Sequence, residues 1–183
     1  YPNTDGGAHN RWKNSLDLND NDTCQLEEVA KGMLRYSSNA NTEYLMDVLG
    51  TENINERISK LGIEKHDSIY YLVSSLFVKD YLFVEKETAN ALKALQELPE
   101  EDYSKTCKGI HKKLKNNKFK YDELENFGLK AQKIWSDRLP ASTATEYRKL
   151  MEKLNSKELP QDVHQYLDPV LEFIMENPQN QSW

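Results

Sequence analysis

Apolar residues recur along most of this chain at the three- and four-residue spacing of amphipathic helices. The first stretch with this spacing follows the candidate caps Asp22 and Thr23 and should end near Tyr36. Its apolar face is formed by Leu26, Val29, Ala30, Met33 and Leu34. The same spacing returns in 40–50, 53–62, 86–116, 124–135 and 143–174. The pattern therefore predicts an all-α fold.

Turn and capping residues mark the ends of several of these helices. Gly50 and Gly62 follow two short helices and suit the positive-φ position at a helix C-terminus. Asn53 is the predicted cap of the third helix. Thr143 and Glu146 have the spacing of a capping box and predict the start of the penultimate helix.

Two stretches lack the helical pattern. Residues 1–22 combine the Gly6-Gly7 turn with a polar run over 17–22, and we expect an ordered loop leading into the first helix. Residues 63–85 mix aromatic, β-branched and serine residues without a clear period, so strand or extended loop competes there with buried helix. Because we find no repeat and no linker, we expect one helical domain over 1–183.

Composition excludes two classes of partner. The 183 residues include 24 Lys and Arg against 30 Asp and Glu, a net charge of −6, which argues against a general nucleic-acid backbone binder. The lysines of 105–120 lie largely opposite the apolar positions of the same helix and form a solvated face. No apolar run approaches the ~20 residues that span a bilayer. The first ten residues have neither the basic nor the apolar region of a signal peptide.

Cysteine and histidine positions give no metal pattern. Cys24 and Cys107 lie far apart in sequence, which predicts two free thiols or at most one bridge. The histidines are scattered without ligand spacing, namely His9, His66, His111 and His164. We expect no metal and no cofactor.

A partial calcium-loop pattern precedes the first predicted helix. Asp17, Asn19, Asn21 and Glu28 occupy positions 1, 3, 5 and 12 of an EF-hand-like loop. Position 6, which needs glycine, is Asp22, and no predicted helix of normal length leads into the loop. A polar loop ending in a helix cap is the favoured interpretation, and a calcium-loop module is a weaker alternative.

Ser37, Ser38 and Asn39 fall in a short break between two amphipathic helices. Taken alone, such residues end one helix and cap the next. Their setting, however, resembles the serine β-lactamase and penicillin-binding protein family, whose second motif is Ser-x-Asn in a loop between two helices of the helical subdomain. A Leu-x-x-Val-Ala helix enters the loop, and Asn-x-x-x-x-Tyr-Leu-Met, which begins at Asn39, leaves it. The turn over 3–7 and the late helix after Ser142 are also similar to that family.

The resemblance implies an acyl-transfer site acting on β-lactam or D-Ala-D-Ala type amides. On that basis Ser37 would relay a proton to the leaving nitrogen, and Asn39 would contact the substrate amide and a catalytic lysine. The implied partner is a β-lactam or peptidoglycan-peptide-like substrate of the complete protein. The implied location is extracytoplasmic, either secreted or at the cell surface.

The chain also departs from the family pattern. No serine is followed by lysine three positions later, and neither Lys-Ser/Thr-Gly nor Glu-x-x-Leu-Asn occurs. The nucleophile and the carboxylate-binding strand are therefore missing from these residues. We expect a multi-helix cluster corresponding to the helical subdomain of the β-lactamase/transpeptidase-like fold without its sheet domain, inactive alone. The alternative is an independent all-α interaction module in which Ser-Ser-Asn is only a cap.

Overall fold

Helices account for nearly all regular secondary structure in the part of the chain that the structure describes. This computed structural model describes residues 4–82, 89–116, 118 and 128–172. Ten α-helices occur there: α1 (Ala8–Ser15), α2 (Leu26–Tyr36), α3 (Asn39–Leu49), α4 (Thr51–Lys60), α5 (Val78–Leu82), α6 (Ala89–Glu97), α7 (Glu100–Lys115), α8 (Leu129–Asp137), α9 (Ala144–Asn155) and α10 (Gln161–Glu172). The prediction of an all-α fold is confirmed.

Most predicted helix ends are found where the turn residues indicated them. α2 ends at Tyr36, and α3 ends before Gly50, which has φ 78°. Gly62, just beyond the end of α4, has φ 76°, a conformation that glycine adopts without a steric penalty. The side chain of Thr143 accepts a hydrogen bond from the main-chain N–H of Glu146 at 3.2 Å and caps α9 as predicted.

Two predicted helix starts are wrong. α2 begins at Leu26 after an extended Gln25, without a side-chain cap, rather than at the aspartate and threonine that precede it. α4 begins at Thr51, directly after Gly50, the glycine that ends α3. Asn53 therefore lies inside the helix and cannot be its N-cap. The amide of Asn53 instead donates to the carbonyl of Leu49 at 2.9 Å and satisfies an end carbonyl of the preceding helix.

The prediction of loop throughout 1–22 is wrong, because Ala8–Ser15 form α1. This helix has only two buried residues, Ala8 and Trp12, which is too few to produce a visible period. A tertiary contact holds it, since the indole N–H of Trp12 donates to the carbonyl of Glu28 at 3.0 Å. Tertiary contacts supply most of the stability of such short helices.

The irregular segment predicted for 63–85 is only partly irregular. Residues 63–73 contain no helix, but Ser74–Phe77 form a 3₁₀ helix that continues into α5. Phe77 and Val78 are both fully buried, and a helix surrounded by other elements shows no amphipathic period. The end of the predicted segment, 83–85, and the first part of the helix predicted over 124–135 lie outside the described residues.

The chain divides into two compact units. The described residues of one unit lie within 67–141, and its core is formed around α7, which packs against the 3₁₀ helix and α5. Those of the other unit lie within 4–66 and 142–172, where α2 packs against α1, α3 and α10. The expectation of one domain over 1–183 stays a prediction.

Candidate functional site

Ser37 lies at the junction between α2 and α3. Its φ is 56°, an uncommon value for a residue other than glycine, and its main-chain N–H donates to the carbonyl of Gly32 to close α2. The residue is exposed, and its hydroxyl makes no hydrogen bond to the residues that the structure describes. The backbone therefore turns at Ser37 while the side chain is left open to solvent.

Ser38 is the residue that caps α3. It is completely buried, and its hydroxyl accepts a hydrogen bond from the main-chain N–H of Asn41 at 3.2 Å. Its carbonyl accepts from the main-chain N–H and the hydroxyl of Thr42, at 3.0 and 2.9 Å. Sequence reasoning did not distinguish the two serines, and the structure assigns the capping function to the second.

Asn39 is partly buried and is held by the segment that precedes α1. Its main-chain N–H donates to Oδ2 of Asp5 at 3.0 Å. Its carboxamide nitrogen, Nδ2, donates to the carbonyl and the hydroxyl of Thr4, at 3.1 and 3.0 Å. A main-chain carbonyl only accepts hydrogen bonds, so the carboxamide must direct Nδ2 toward Thr4.

A cluster of hydrogen-bonded polar side chains, formed by His9, Ser38 and Asn41, lies next to the Ser37–Asn39 loop. Nδ2 of Asn41 donates to the carbonyl of Val29 at 3.1 Å, which turns Oδ1 of the same side chain toward Nδ1 of His9, 3.0 Å away. Since Oδ1 only accepts, Nδ1 of His9 carries the hydrogen, and it also lies 3.2 Å from the hydroxyl of Ser38. The cluster thus connects α1, α2 and α3.

Gly32 allows these three helices to approach closely. A Cβ at this position would lie 2.1 Å from Nδ2 of Asn41 and 2.6 Å from the ring of Trp12. Only a residue without a side chain fits there. The Ser37–Asn39 loop is therefore carried by rigid, tightly packed helices, which is what a precisely positioned site requires.

The residues that hold the loop were missed by sequence reasoning. Thr4, Asp5 and His9 lie 29 to 35 positions from the residues that they contact. The resemblance of the turn over 3–7 to the β-lactamase family was the one available signal. It did not indicate which groups of the loop the turn contacts.

No metal centre is found in the described part of the chain. There, no group of three or more His, Cys, Asp or Glu side chains is placed to hold a metal ion. Cys24 is exposed and Cys107 is buried, and the two form no disulfide with each other. None of the described helices is long and apolar enough to cross a membrane.

The loop between α2 and α3 thus carries an exposed serine, Ser37, and two positions later Asn39, whose carboxamide is fixed by hydrogen bonds to Thr4. The family model of the beta-lactamase enzyme family matches residues 10–171, a range that includes Ser37 and Asn39. The chain belongs to the β-lactamase enzyme family. No curated protein and no solved structure matches it. The resemblance to the β-lactamase family is thereby confirmed, whereas the roles of Ser37 and Asn39 stay predictions.

Proposed function

We propose that this chain supplies the Ser-x-Asn wall of an acyl-transfer site that acts on β-lactam or D-Ala-D-Ala type amides. The observation that supports the proposal is that Ser37 and Ser38 have different structural roles. The Ser38 side chain caps α3, whereas Ser37 closes α2 only through its main-chain N–H, adopts a positive φ and is exposed. Strained backbone that presents an unengaged polar group is a common property of functional sites.

The proposed chemistry assigns different tasks to Ser37 and Asn39. When a serine nucleophile attacks an amide, the leaving nitrogen must receive a proton. A hydroxyl both accepts and donates, so Ser37 can give its proton to that nitrogen while it takes up the proton that the nucleophilic serine releases. Asn39 contributes a fixed carboxamide that orients the substrate amide. These tasks need no cofactor.

The nucleophile of this reaction is not among the 183 residues. Neither Ser-x-x-Lys nor Lys-Ser/Thr-Gly occurs in the sequence. The 183-residue chain should therefore give no nitrocefin turnover and no covalent labelling by a fluorescent penicillin, because it contains no activated nucleophile of this type. Labelling of a serine in this chain would contradict that part of the proposal. The complete protein would work where its substrates are, outside the cytoplasm.

The two serines offer a matched experiment. In a protein that joins this chain to a Ser-x-x-Lys nucleophile, Ser37→Ala should slow acylation by a fluorescent penicillin about 100-fold or more, as expected for loss of a proton-transfer group. Ser38→Ala should lower the melting temperature instead, because it removes the buried cap. Equal acylation rates for wild type and Ser37→Ala would overturn the proposed role.

One observation favours the alternative, an interaction module without catalysis. Three large apolar side chains of α3 are about half exposed: Tyr44 at 51%, Val48 at 50% and Leu49 at 51%. Such residues are typical of surfaces that contact another protein. Under this alternative, Ser37→Ala leaves the rate of acylation by the fluorescent penicillin unchanged. Val48→Lys instead abolishes association with a protein that binds the exposed face of α3.

A further inference from the structure

Positive charge is concentrated in one of the two compact units. Residues 67–141 carry 13 Lys and Arg against 12 Asp and Glu, whereas the rest of the chain carries 11 against 18. The lysines of this unit are themselves clustered, since 103–121 contains seven lysines and neither Asp nor Glu. The net charge of −6 therefore conceals a local positive region, and a local positive field is what attracts an anionic ligand.

The register of α7 places these lysines on its outward face. The buried residues of the helix are Tyr103, Cys107, Ile110, His111 and Leu114. On the opposite side, lysines recur at three- and four-residue spacing, namely Lys105, Lys108, Lys112 and Lys115. At a rise of about 1.5 Å per residue, they extend over about 15 Å of the helix axis. α7 thus presents a row of ammonium groups away from the core of its unit.

Contacts with neighbouring side chains distinguish these lysines. Lys105 is paired with Glu101 at 2.6 Å, whereas neither Lys112 nor Lys113 pairs with a carboxylate in the part of the chain that the structure describes. Lys113 donates to the hydroxyl of Tyr81 at 2.9 Å and lies 4.4 Å from the centroid of that ring. The phenol supplies a dipole rather than a negative charge, so it holds the ammonium without neutralising it. The name α7 lysine cluster is used below for Lys108, Lys112, Lys113 and Lys115.

The side chains around the α7 lysine cluster indicate which anionic ligand it fits. None of the exposed large apolar residues in the described structure lies on α7, so this face has nothing to insert into a lipid bilayer. The helix contains no arginine, and its tyrosine, Tyr103, is buried, so it offers no platform on which a nucleobase could stack. Lysine binds phosphate as a point charge and needs only charge and spacing from its partner.

We propose that the α7 lysine cluster is a binding surface for a linear phosphodiester polymer without nucleobases, a polyol phosphate. Phosphates that recur along a flexible chain can each meet one ammonium of the row. The counterions that the polymer releases on binding drive the association. The proposal is independent of the acyl-transfer proposal, because none of the four lysines belongs to the Ser37–Asn39 loop.

Fluorescence anisotropy with labelled poly(glycerol phosphate) tests the proposal on the 183-residue chain. The logarithm of the association constant should fall with the logarithm of the salt concentration with a slope of about −3, as expected when four lysines neutralise phosphates of a flexible chain. The double variant Lys112→Gln/Lys113→Gln should halve this slope and weaken binding at low salt about tenfold or more. Absence of binding by the wild-type chain at low salt would overturn the proposal.

The double variant Lys93→Gln/Lys133→Gln is the matched control. These lysines lie in the same unit, on α6 and α8, in exposed pairs with Glu97 and Asp137, and their replacement changes the total charge by the same amount. The control should bind poly(glycerol phosphate) as the wild-type chain does. Because all four replaced lysines are exposed, both double variants should keep the fold, and circular dichroism checks this. Equal weakening in the two variants would mean that total charge decides binding, and it would overturn the role of the α7 lysine cluster.

Two further ligands separate the polymer from other sources of phosphate. Oligothymidylate with the same number of phosphates should bind no more tightly than poly(glycerol phosphate), because the α7 lysine cluster has no ring on which a base can stack. Binding of oligothymidylate about tenfold tighter would assign the surface to nucleic acid and overturn the proposal. Phosphatidylglycerol vesicles should bind more weakly than the polymer at equal phosphate concentration. Tighter binding to the vesicles would assign the surface to a membrane instead.

Discussion

The guanidinium carbon of Arg138 lies 4.1 Å above the centroid of the Tyr103 ring. From this position its N–H groups donate to the last carbonyls of α6, those of Leu95 and Gln96 at 3.3 and 3.2 Å, and to that of Leu98 at 2.8 Å. These are carbonyls that a helix end leaves without internal partners. One side chain thus closes α6 and covers an aromatic ring in the core of its unit.

Arg138→Lys should lower the free energy of unfolding by about 2–3 kcal/mol, because an ammonium cannot reproduce the planar fork of donors or the stacking on Tyr103. Urea denaturation followed by circular dichroism measures the change. Arg148→Lys is the control: Arg148 forms an exposed pair with Glu152 one helical turn away, and its replacement should cost about 0.5 kcal/mol or less. Equal losses in both variants would contradict the role of Arg138.

Replacing two helical glycines, Gly32 and Gly109, by alanine should change the free energy of unfolding in opposite directions. Gly32→Ala should destabilise the chain by about 3 kcal/mol, because the new Cβ meets Trp12 and Asn41 within 2.6 Å. Gly109→Ala should stabilise it by about 0.5–1 kcal/mol, since nothing lies within 4 Å of a Cβ there and alanine favours the helix. Thermal unfolding of both variants checks the sign, and a neutral Gly32→Ala would show that the three helices are not in close contact.

Ser38→Ala should lower the free energy of unfolding by about 1–2 kcal/mol, because it removes the α3 cap and leaves the N–H of Asn41 without its acceptor. Ser37→Ala should change it by about 0.5 kcal/mol or less, since the exposed hydroxyl holds nothing in the described structure. Chemical denaturation of the two variants provides the comparison. A larger loss of unfolding free energy in Ser37→Ala than in Ser38→Ala would show that Ser37 has a structural role.

Glu146 should make stability depend on pH in the acidic range. The hydrogen-bonded Lys149 ammonium, at 2.8 Å, and the main-chain N–H of Glu64, at 2.9 Å, hold the pKa of the Glu146 carboxyl below its ordinary value. A carboxyl with a lowered folded-state pKa stabilises the fold above its unfolded-state value, about 4.5, and this contribution is lost as the pH falls.

Glu146→Gln should therefore lower the melting temperature at pH 7, and the gap to wild type should close toward pH 3. Melting curves over that range measure the gap. Glu152→Gln, which changes an exposed partner of Arg148, should show little pH-dependent difference. A gap for Glu146→Gln that persists unchanged at pH 3 would mean that the carboxylate charge is not what stabilises this contact.

Helix ends could be predicted from the sequence where the residues at the end itself determine the backbone conformation. Tyr36, Gly50 and Gly62 mark helix ends that the structure reproduces, because glycine and polar break residues determine backbone geometry at their own positions. α1 was missed, since its helix depends on Trp12 packing against α2 rather than on its own pattern. The helical turn after Ser74 could not be decided against strand or loop, because full burial removes periodicity.

The candidate site was predictable in position but not in geometry. Ser-x-Asn could be placed between two helices from the residues around it. Which serine caps α3 depends on the φ of Ser37, and the orientation of Asn39 depends on Thr4 and Asp5, 35 and 34 positions earlier. Contacts over such separations leave no pattern in a single sequence.

The pairing of His66 with Ser142 has a consequence for how this chain can vary. These two residues face each other in an antiparallel bridge, and the hydroxyl of Ser142 also donates to the carbonyl of Lys65 at 2.9 Å. The polypeptide between them, 67–141, therefore departs and returns at neighbouring points, and a two-residue hairpin turn would span the same gap. A change in the length of that stretch would leave its two ends adjacent.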